Sequence, residues 1–388
     1  MAEATQTKTT IAIDPVTRIE GHLKAEVVVE NGKVVDAKLT GGMYRGFESI
    51  LRGRHPRDAA QIVQRICGVC PTAHATAASI ALEKASGTAV PSNGRATRNL
   101  ILGANYLQSH ILHFYHLAGQ DFIQGPDTAP FMPRYAKPDL RLPPAINAVG
   151  VDQYVEALEV RAVCHEMVAL FGGRMPHVHG ILAGGAAEIP TKEKLVEYAA
   201  RFKKVRKFVE EKYLPVVYLV GSQYKDLGAF GQGYRNALCV GVFPLDDEGK
   251  EFVFKAGAYQ DGKDMPFDVK RVTEDVKFSW FADSTSGKPF TKGENVLEVD
   301  KKGAYSFVKA PLYNGKPMEV GPLARMWVNN KPISPIGQKL FKEYFGLDVK
   351  NFRDMGEDLA FSLLGHKVDA RVRASEVLTT RKVLPQPH

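Results

Sequence analysis

Apolar and polar positions alternate through residues 22–39 (HLKAEVVVENGKVVDAKL), and the alternation breaks at Asn31-Gly32. Both residues tolerate positive φ, so the break reads as a two-residue hairpin turn and residues 9–40 as a β-rich opening. From Pro56 the period changes. Ala59, Ile62, Val63 and Ile66 fall on one helical face that runs into a cysteine pair. Pro71 suits the first position of a further helix and Gly87 its end. Three longer stripes follow. The first runs from about Arg95 to His116, with Leu100, Ala104, Leu107, Ile111 and Phe114 in line. The second runs from Val151 to Phe171, through Tyr154, Val155, Leu158, Val163 and Met167, and stops at Gly172-Gly173. The third covers Lys192 to Tyr213, with Leu195, Tyr198, Ala199, Phe202 and Val205 inward. Successive long amphipathic helices predict a bundle over 56–213.

After about Leu214 short alternating runs and Gly-rich turns take over, predicting a β-rich excursion over 214–328. Helical spacing returns over 334–365, in PIGQKLFKEYF and RDMGEDLAFSLL. Residues 366–388 show no apolar face and read as a divergent tail. The expected fold class is α+β: residues 1–365 form a central bundle of long helices with small peripheral β-rich units.

Composition changes this picture little. With 44% hydrophobic residues, a chain of 388 residues can bury a substantial core. The net charge of +8 comes from 51 basic residues interspersed with 43 acidic ones, without a basic block carrying aromatics, so nucleic-acid binding is not expected. No uninterrupted apolar window is long enough for a transmembrane segment, and the first dozen residues lack a signal-peptide pattern.

Four cysteines do not make a disulfide framework, and two of them stand as CxxC in Arg65-Ile66-Cys67-Gly68-Val69-Cys70-Pro71-Thr72-Ala73-His74. Cys70 directly precedes a helix start, where free N–H groups and the helix dipole favour a thiolate, and Gly68 lets the turn tighten. Both sulfurs can therefore point at one centre. Spacing alone leaves a zinc half-site, a redox dithiol and a transition-metal chelate open. Cys164 and Cys239 are isolated and read as packing residues. His110, His113 and His116 share helical spacing but read as hydrogen-bonded core or interface groups, as do His177 and His179. His74 reads as a support for the cysteine pair.

Three segments carry a resemblance. Asp14-Pro15-Val16-Thr17-Arg18-Ile19-Glu20-Gly21-His22, Gly42-Met43-Tyr44-Arg45-Gly46-Phe47-Glu48 and Arg65 to His74 resemble the N-terminal signatures of nickel-iron hydrogenase large subunits, in order and at similar spacing. The likeness continues through Gly103 to His110, His113 to His116, Gly172 to His177 and Gly321 to Trp327, over about 11 to 365. It is greatest toward the nickel-iron-selenium branch.

The resemblance implies that Cys67 is a terminal nickel ligand and Cys70 a thiolate bridging nickel and iron. Soft sulfur donors suit that pair. It implies carbon monoxide and cyanide on the iron, installed by maturation proteins. Glu20 would pass protons near the cysteines, and Glu48 would bind a structural magnesium (or iron) ion. The activity implied is reversible oxidation of H2, with electrons passing to iron-sulfur clusters in a separate small subunit. The periplasm, reached through the partner's signal, is the implied location, with the cytoplasm as alternative.

The family's second thiol or selenol pair comes from a DPCxxCxxH-type motif near its C-terminus, which this sequence lacks. The expectation is a chain truncated before that motif. The alternative function is a non-catalytic remnant or half-subunit that docks to a small subunit without turnover.

Overall fold

Asn31 (φ 51°) and Gly32 (φ 74°) make the left-handed turn that their side chains permit. They join two strands of an antiparallel sheet, β1 (Lys8–Ile13), β2 (Leu23–Glu30) and β3 (Lys33–Gly41), in that spatial order. The computed structural model describes residues 8–125, 139–229, 233–289, 291–292 and 294–364. Alternation along β2 turns Ala25 and Val27 fully inward, against Ile11, Ile13, Val16 and Leu39. The loop 14–22 between β1 and β2 carries the first motif.

Short helices α1 (Phe47–Leu51) and α2 (Ala59–Ile62) lead into a 3₁₀ turn over Val63–Ile66. Helix α3 (Pro71–Ser86) starts on its proline and ends at Gly87, whose φ of 66° gives the left-handed cap. Helix α4 (Ser92–Ile111) runs on as a π-helical turn to Ala118. Helix α5 (Pro144–Gly172) is followed by a small hairpin of β4 (Ile181–Leu182) and β5 (Gly185–Ala186). Helix α6 (Lys192–Phe208), capped by Thr191, passes through a π turn over Val209–Tyr213 into α7 (Leu214–Gln223).

The bundle's core joins Ile101, Ala104 and Ile111 of α4 to Val160, Cys164, Met167 and Phe171 of α5. Val205 and Phe208 of α6 and Val216 and Val220 of α7 close it. Three expectations fail here. The third helix does not stop near Leu214. Pro215 lacks an N–H and would break a regular helix, but the wider π turn just before it absorbs the lost bond and the chain stays helical to Gln223. Helix α5 begins at Pro144 rather than Val151, because its early turns bury only Gly150 and so leave no apolar stripe to read. Val155 and Leu158 of α5 and Leu195 and Phe202 of α6, expected inward, are exposed, and the buried face of α5 is centred on Cys164 instead.

The segment after the bundle is β-rich. Strands β6 (Ala237–Cys239), β7 (Val242–Pro244), β8 (Phe252–Phe254), β9 (Gly257–Gln260), β10 (Lys263–Met265), β11 (Val272–Asp275) and β12 (Ala310–Tyr313) form small antiparallel sheets, β10-β9-β6 being the largest. Helices α8 (Pro322–Asn329) and α9 (Pro335–Phe345) pack a second core, in which Trp327, Phe341, Phe352 and Phe361 meet Tyr259 of β9. This is the α+β arrangement expected. Among the described residues no helix is long and apolar enough to cross a membrane. The expected tail over 366–388 lies outside the described residues.

Candidate metal centre

Cys67 ends the 3₁₀ turn in extended conformation, and Cys70 caps the N-terminus of α3. The turn between them folds back so that the Cys70 N–H donates to Cys67 Sγ at 3.1 Å. Cys67 is 5% exposed and Cys70 half-buried, and neither is in a disulfide. The side chain of Cys70 hydrogen-bonds to Cys67 and is the main reason the Cys67 thiol is pulled down to about 7. Burial opposes this, the N–H groups of Cys70 and Val69 assist, and the carboxylate charge of Glu20 opposes it further. The two sulfurs and Glu20 are thus brought into one neighbourhood from positions nearly fifty residues apart.

Three side chains position this neighbourhood, and none was singled out from the sequence. Arg45 donates to the carbonyls of Arg65, at 2.7 Å, and Ile66, at 2.5 Å, directly ahead of Cys67. Gln64, fully buried, donates to Ala60 O at 3.0 Å and to Val178 O at 2.9 Å, tying the turn to the loop after α5. Arg18, at φ 57°, reaches from the Glu20 loop to Leu117 O at 2.6 Å and Asp121 at 2.5 Å. Arg18 and Arg45 lie inside the quoted motifs, and that placement was the only sequence signal for them.

The donor set fits a soft transition metal: two adjacent sulfurs, one already near its thiolate form at neutral pH. Among the described residues no group of three or more His, Cys, Asp and Glu side chains gathers. Glu48 is a different case. It is exposed in the first turn of α1, and its nearest charge is the Lys309 ammonium at 3.9 Å, which also pairs with Glu274 at 2.9 Å. Among the described residues Glu48 therefore has an ammonium, and no gathered set of His, Cys, Asp or Glu donors, beside it.

The other flagged groups lie apart from the sulfurs. Cys164 is wholly buried in the bundle and its thiol is pushed up to about 12 by burial, while Cys239 is buried in β6. His116 Nε2 lies 3.2 Å from Tyr154 O. His110 is held down to about 4 by burial and by Arg325. His177, at φ 61°, lies in the loop that Gln64 grips.

The family model described as nickel-dependent hydrogenase matches residues 45–127 and 120–383, and one described as HoxL-like matches 10–40. The first match runs past residue 365, where the likeness read from the motifs stops. The chain is 60% identical over 370 residues to the periplasmic [NiFeSe] hydrogenase large subunit of Desulfomicrobium baculatum, covering 93% of this chain and 72% of that one. It is 33% identical over 383 residues to the hydrogenase-2 large chain of Escherichia coli (strain K12), covering 82% and 67%. The solved Ni-Fe-Se hydrogenase of D. vulgaris Hildenborough in the reduced state superposes with a TM-score of 0.90 at 68% identity, covering 96% of this chain and 77% of that one. The family match spans most of the chain, a 60% identical relative covers 93% of it and the fold agrees over 96% of it, so this chain belongs to the nickel-dependent hydrogenases as a large subunit of the NiFeSe type.

Proposed function

We propose that Cys67 and Cys70 are thiolates that would hold a nickel-iron centre. Glu20 is the carboxyl that carries protons to and from them. As a hydrogenase the chain is an oxidoreductase acting on H2. When bound, the bimetallic centre supplies the Lewis acidity and redox capacity for H2 heterolysis.

The chain's own residues prepare that site. Cys67 loses its proton near neutral pH because Cys70 and two backbone N–H groups favour the thiolate. Arg45 fixes the backbone that presents it. The Glu20 carboxylate, close enough to act on the Cys67 charge, accepts a proton leaving the thiolate region and releases it to solvent, on which it is exposed. Electrons leave through iron-sulfur clusters of the small subunit that a large subunit of this kind pairs with, and the periplasm is the location, as for the Desulfomicrobium relative.

The observation that carries this reading is the hydrogen-bonded pair of sulfurs, Cys67 buried and Cys70 half-buried, with Glu20 in electrostatic reach. The test is co-expression with the small subunit and maturation proteins, followed by nickel analysis and H2 oxidation. Cys67→Ser and Cys70→Ser should each abolish nickel. Glu20→Gln should keep nickel and slow turnover by roughly 100-fold or more. Unchanged nickel in both cysteine variants overturns the ligand assignment. A nickel-free wild-type heterodimer supports the non-catalytic alternative.

A further inference from the structure

Glu20 stands on the loop 14–22, exposed, and among the described residues no hydrogen bond or ion pair holds its carboxylate. Its charge nevertheless reaches the Cys67 sulfur, so its place depends on what fixes the loop. Two anchors do so. Near the start, Val16 packs on the first sheet and its N–H donates to Leu23 O at 2.7 Å. Two residues ahead of Glu20 stands Arg18, whose φ of 57° is unfavourable for a residue with a side chain. Such a conformation persists only where surrounding contacts enforce it.

The contacts that enforce it come from the far end of α4. One Arg18 nitrogen donates to Leu117 O at 2.6 Å and the other to Asp121 at 2.5 Å. Leu117 lies at the end of the π turn Leu112–Ala118, where carbonyls lack helical donors and the negative end of the helix dipole favours a cation. Asp121 follows in the 3₁₀ turn Gly119–Asp121. The pair is partly shielded, with side chains 30% and 21% exposed, so water competes for it less than for a surface pair. It also occupies the guanidinium nearest to Glu20 in sequence. A carboxylate paired with arginine binds protons poorly, and Glu20 has no such partner among the described residues.

We propose that Arg18 and Asp121 are positioning residues for proton transfer: the Arg18 grip on Leu117 O and Asp121 holds Glu20 beside the cysteine pair, and both act through Glu20. The inference rests on Glu20 being the proton carrier. The proton passes between a cysteine sulfur and a Glu20 oxygen and on to solvent, and a carboxylate displaced by about an ångström loses a large part of that rate. Arg45 and Gln64, by contrast, hold the turn that carries the sulfurs. A loss at Arg18 should therefore leave nickel in place.

The test compares heterodimers expressed with the maturation proteins. Arg18→Gln should keep nickel and slow H2 oxidation by roughly tenfold or more, and D2O should slow it by a larger factor than it slows the wild type. Arg18→Lys, which can make one of the two contacts, and Asp121→Asn, which keeps an oxygen for Arg18, should each fall between. Hydrogen-exchange mass spectrometry, which needs no turnover, should show faster exchange over 14–22 in Arg18→Gln and no change over 63–73. The deciding measurement adds Arg18→Gln to Glu20→Gln. If Arg18 works through Glu20, the double variant is no slower than Glu20→Gln alone. Losses that multiply, nickel that falls with activity, or an unchanged rate in Arg18→Gln would each overturn the proposal. A Glu20→Gln heterodimer at full rate removes the proton-carrier reading and this proposal with it, whereas a slow Glu20→Gln beside a fast Arg18→Gln removes only the latch. Asp121→Asn on the Glu20→Gln background decides the question if Arg18→Gln does not fold.

Discussion

Arg45 holds the carbonyl of Ile66, and with it the backbone one residue ahead of Cys67, through the same guanidinium that reaches the carbonyl of Arg65. Two carbonyls are gripped at once, a geometry that a planar fork provides and an ammonium does not. Arg45→Lys should therefore behave much like Arg45→Ala. Because the contact lies near the surface, each change should cost only about 1 kcal/mol of stability. The larger effect should fall on nickel content, since a ligand-bearing turn released by even an ångström loses its preorganisation. Nickel per heterodimer, measured beside the thermal midpoint, checks this. Full nickel in both variants would remove Arg45 from the support of the site.

Cys67 should titrate well below an ordinary thiol in the metal-free chain. Its thiol is drawn to about 7 chiefly by the Cys70 side chain, and Glu20 pushes the other way. Iodoacetamide labelling of Cys67, followed by mass spectrometry across pH, should show half-maximal rate near neutrality. Cys70→Ala should move that midpoint upward, and Glu20→Gln should move it slightly down. A midpoint that ignores Glu20→Gln would mean the carboxylate is not within reach of the sulfur.

Much of the scaffold is legible in local sequence. Asn31-Gly32, Pro71 and Gly87 mark their turn and helix ends because each acts through its own φ, which needs no knowledge of the rest of the chain. Pro215 misleads for the same reason: its local preference is to break a helix, and the π turn that accommodates it is set by packing of α6 and α7 on the core. Periodicity finds the stripes of α5 but not which one the bundle covers: the apolar run through Leu158 reads as the inward one, whereas the bundle buries the face of Cys164. At the site, the adjacency of Cys67 and Cys70 follows from spacing and a helix start. The approach of Glu20 and the grips of Arg18 on Leu117 and Gln64 on Val178 join segments about a hundred residues apart in two cases, and pattern within one sequence does not encode them.

Acid should weaken the bundle through two histidines. Burial holds His110 and His116 down to about 4, against an ordinary value near 6.5, with Arg325 and Arg161 adding to the effect. The unfolded chain then binds more protons than the native one between those limits. Stability is therefore complete above about pH 6.5 and is lost as pH falls toward about 4, on the order of 2–3 kcal/mol per histidine. Urea midpoints at pH 7, 5.5 and 4.5 should fall more steeply for the wild type than for His110→Asn or His116→Asn. Carboxylates contribute equally to all three proteins, so the difference isolates the imidazoles. Parallel curves would show that these rings protonate freely in the fold.

Glu83 and Arg98 form an ion pair that is almost closed to solvent, with side chains 9% and 8% exposed. It joins α3 to α4 through two N–H···O contacts, and both partners have further work. Arg98 donates to Gly185 O at 3.2 Å and Leu182 O at 3.1 Å, while a Glu83 oxygen accepts from Gly184 N at 2.8 Å. The pair thus fastens the β4–β5 hairpin to the end of α3, behind the helix that Cys70 caps. Removing one partner leaves a buried charge without its counterion, so Glu83→Gln or Arg98→Met should each cost about 3–5 kcal/mol. Removing both with apolar side chains, as in Glu83→Leu with Arg98→Met, should recover a large part of that loss, because no orphaned charge remains. A double-mutant cycle on denaturant midpoints separates the two contributions. Single variants costing under about 1 kcal/mol would place the pair in effective contact with water and end its role as the fastening of the hairpin.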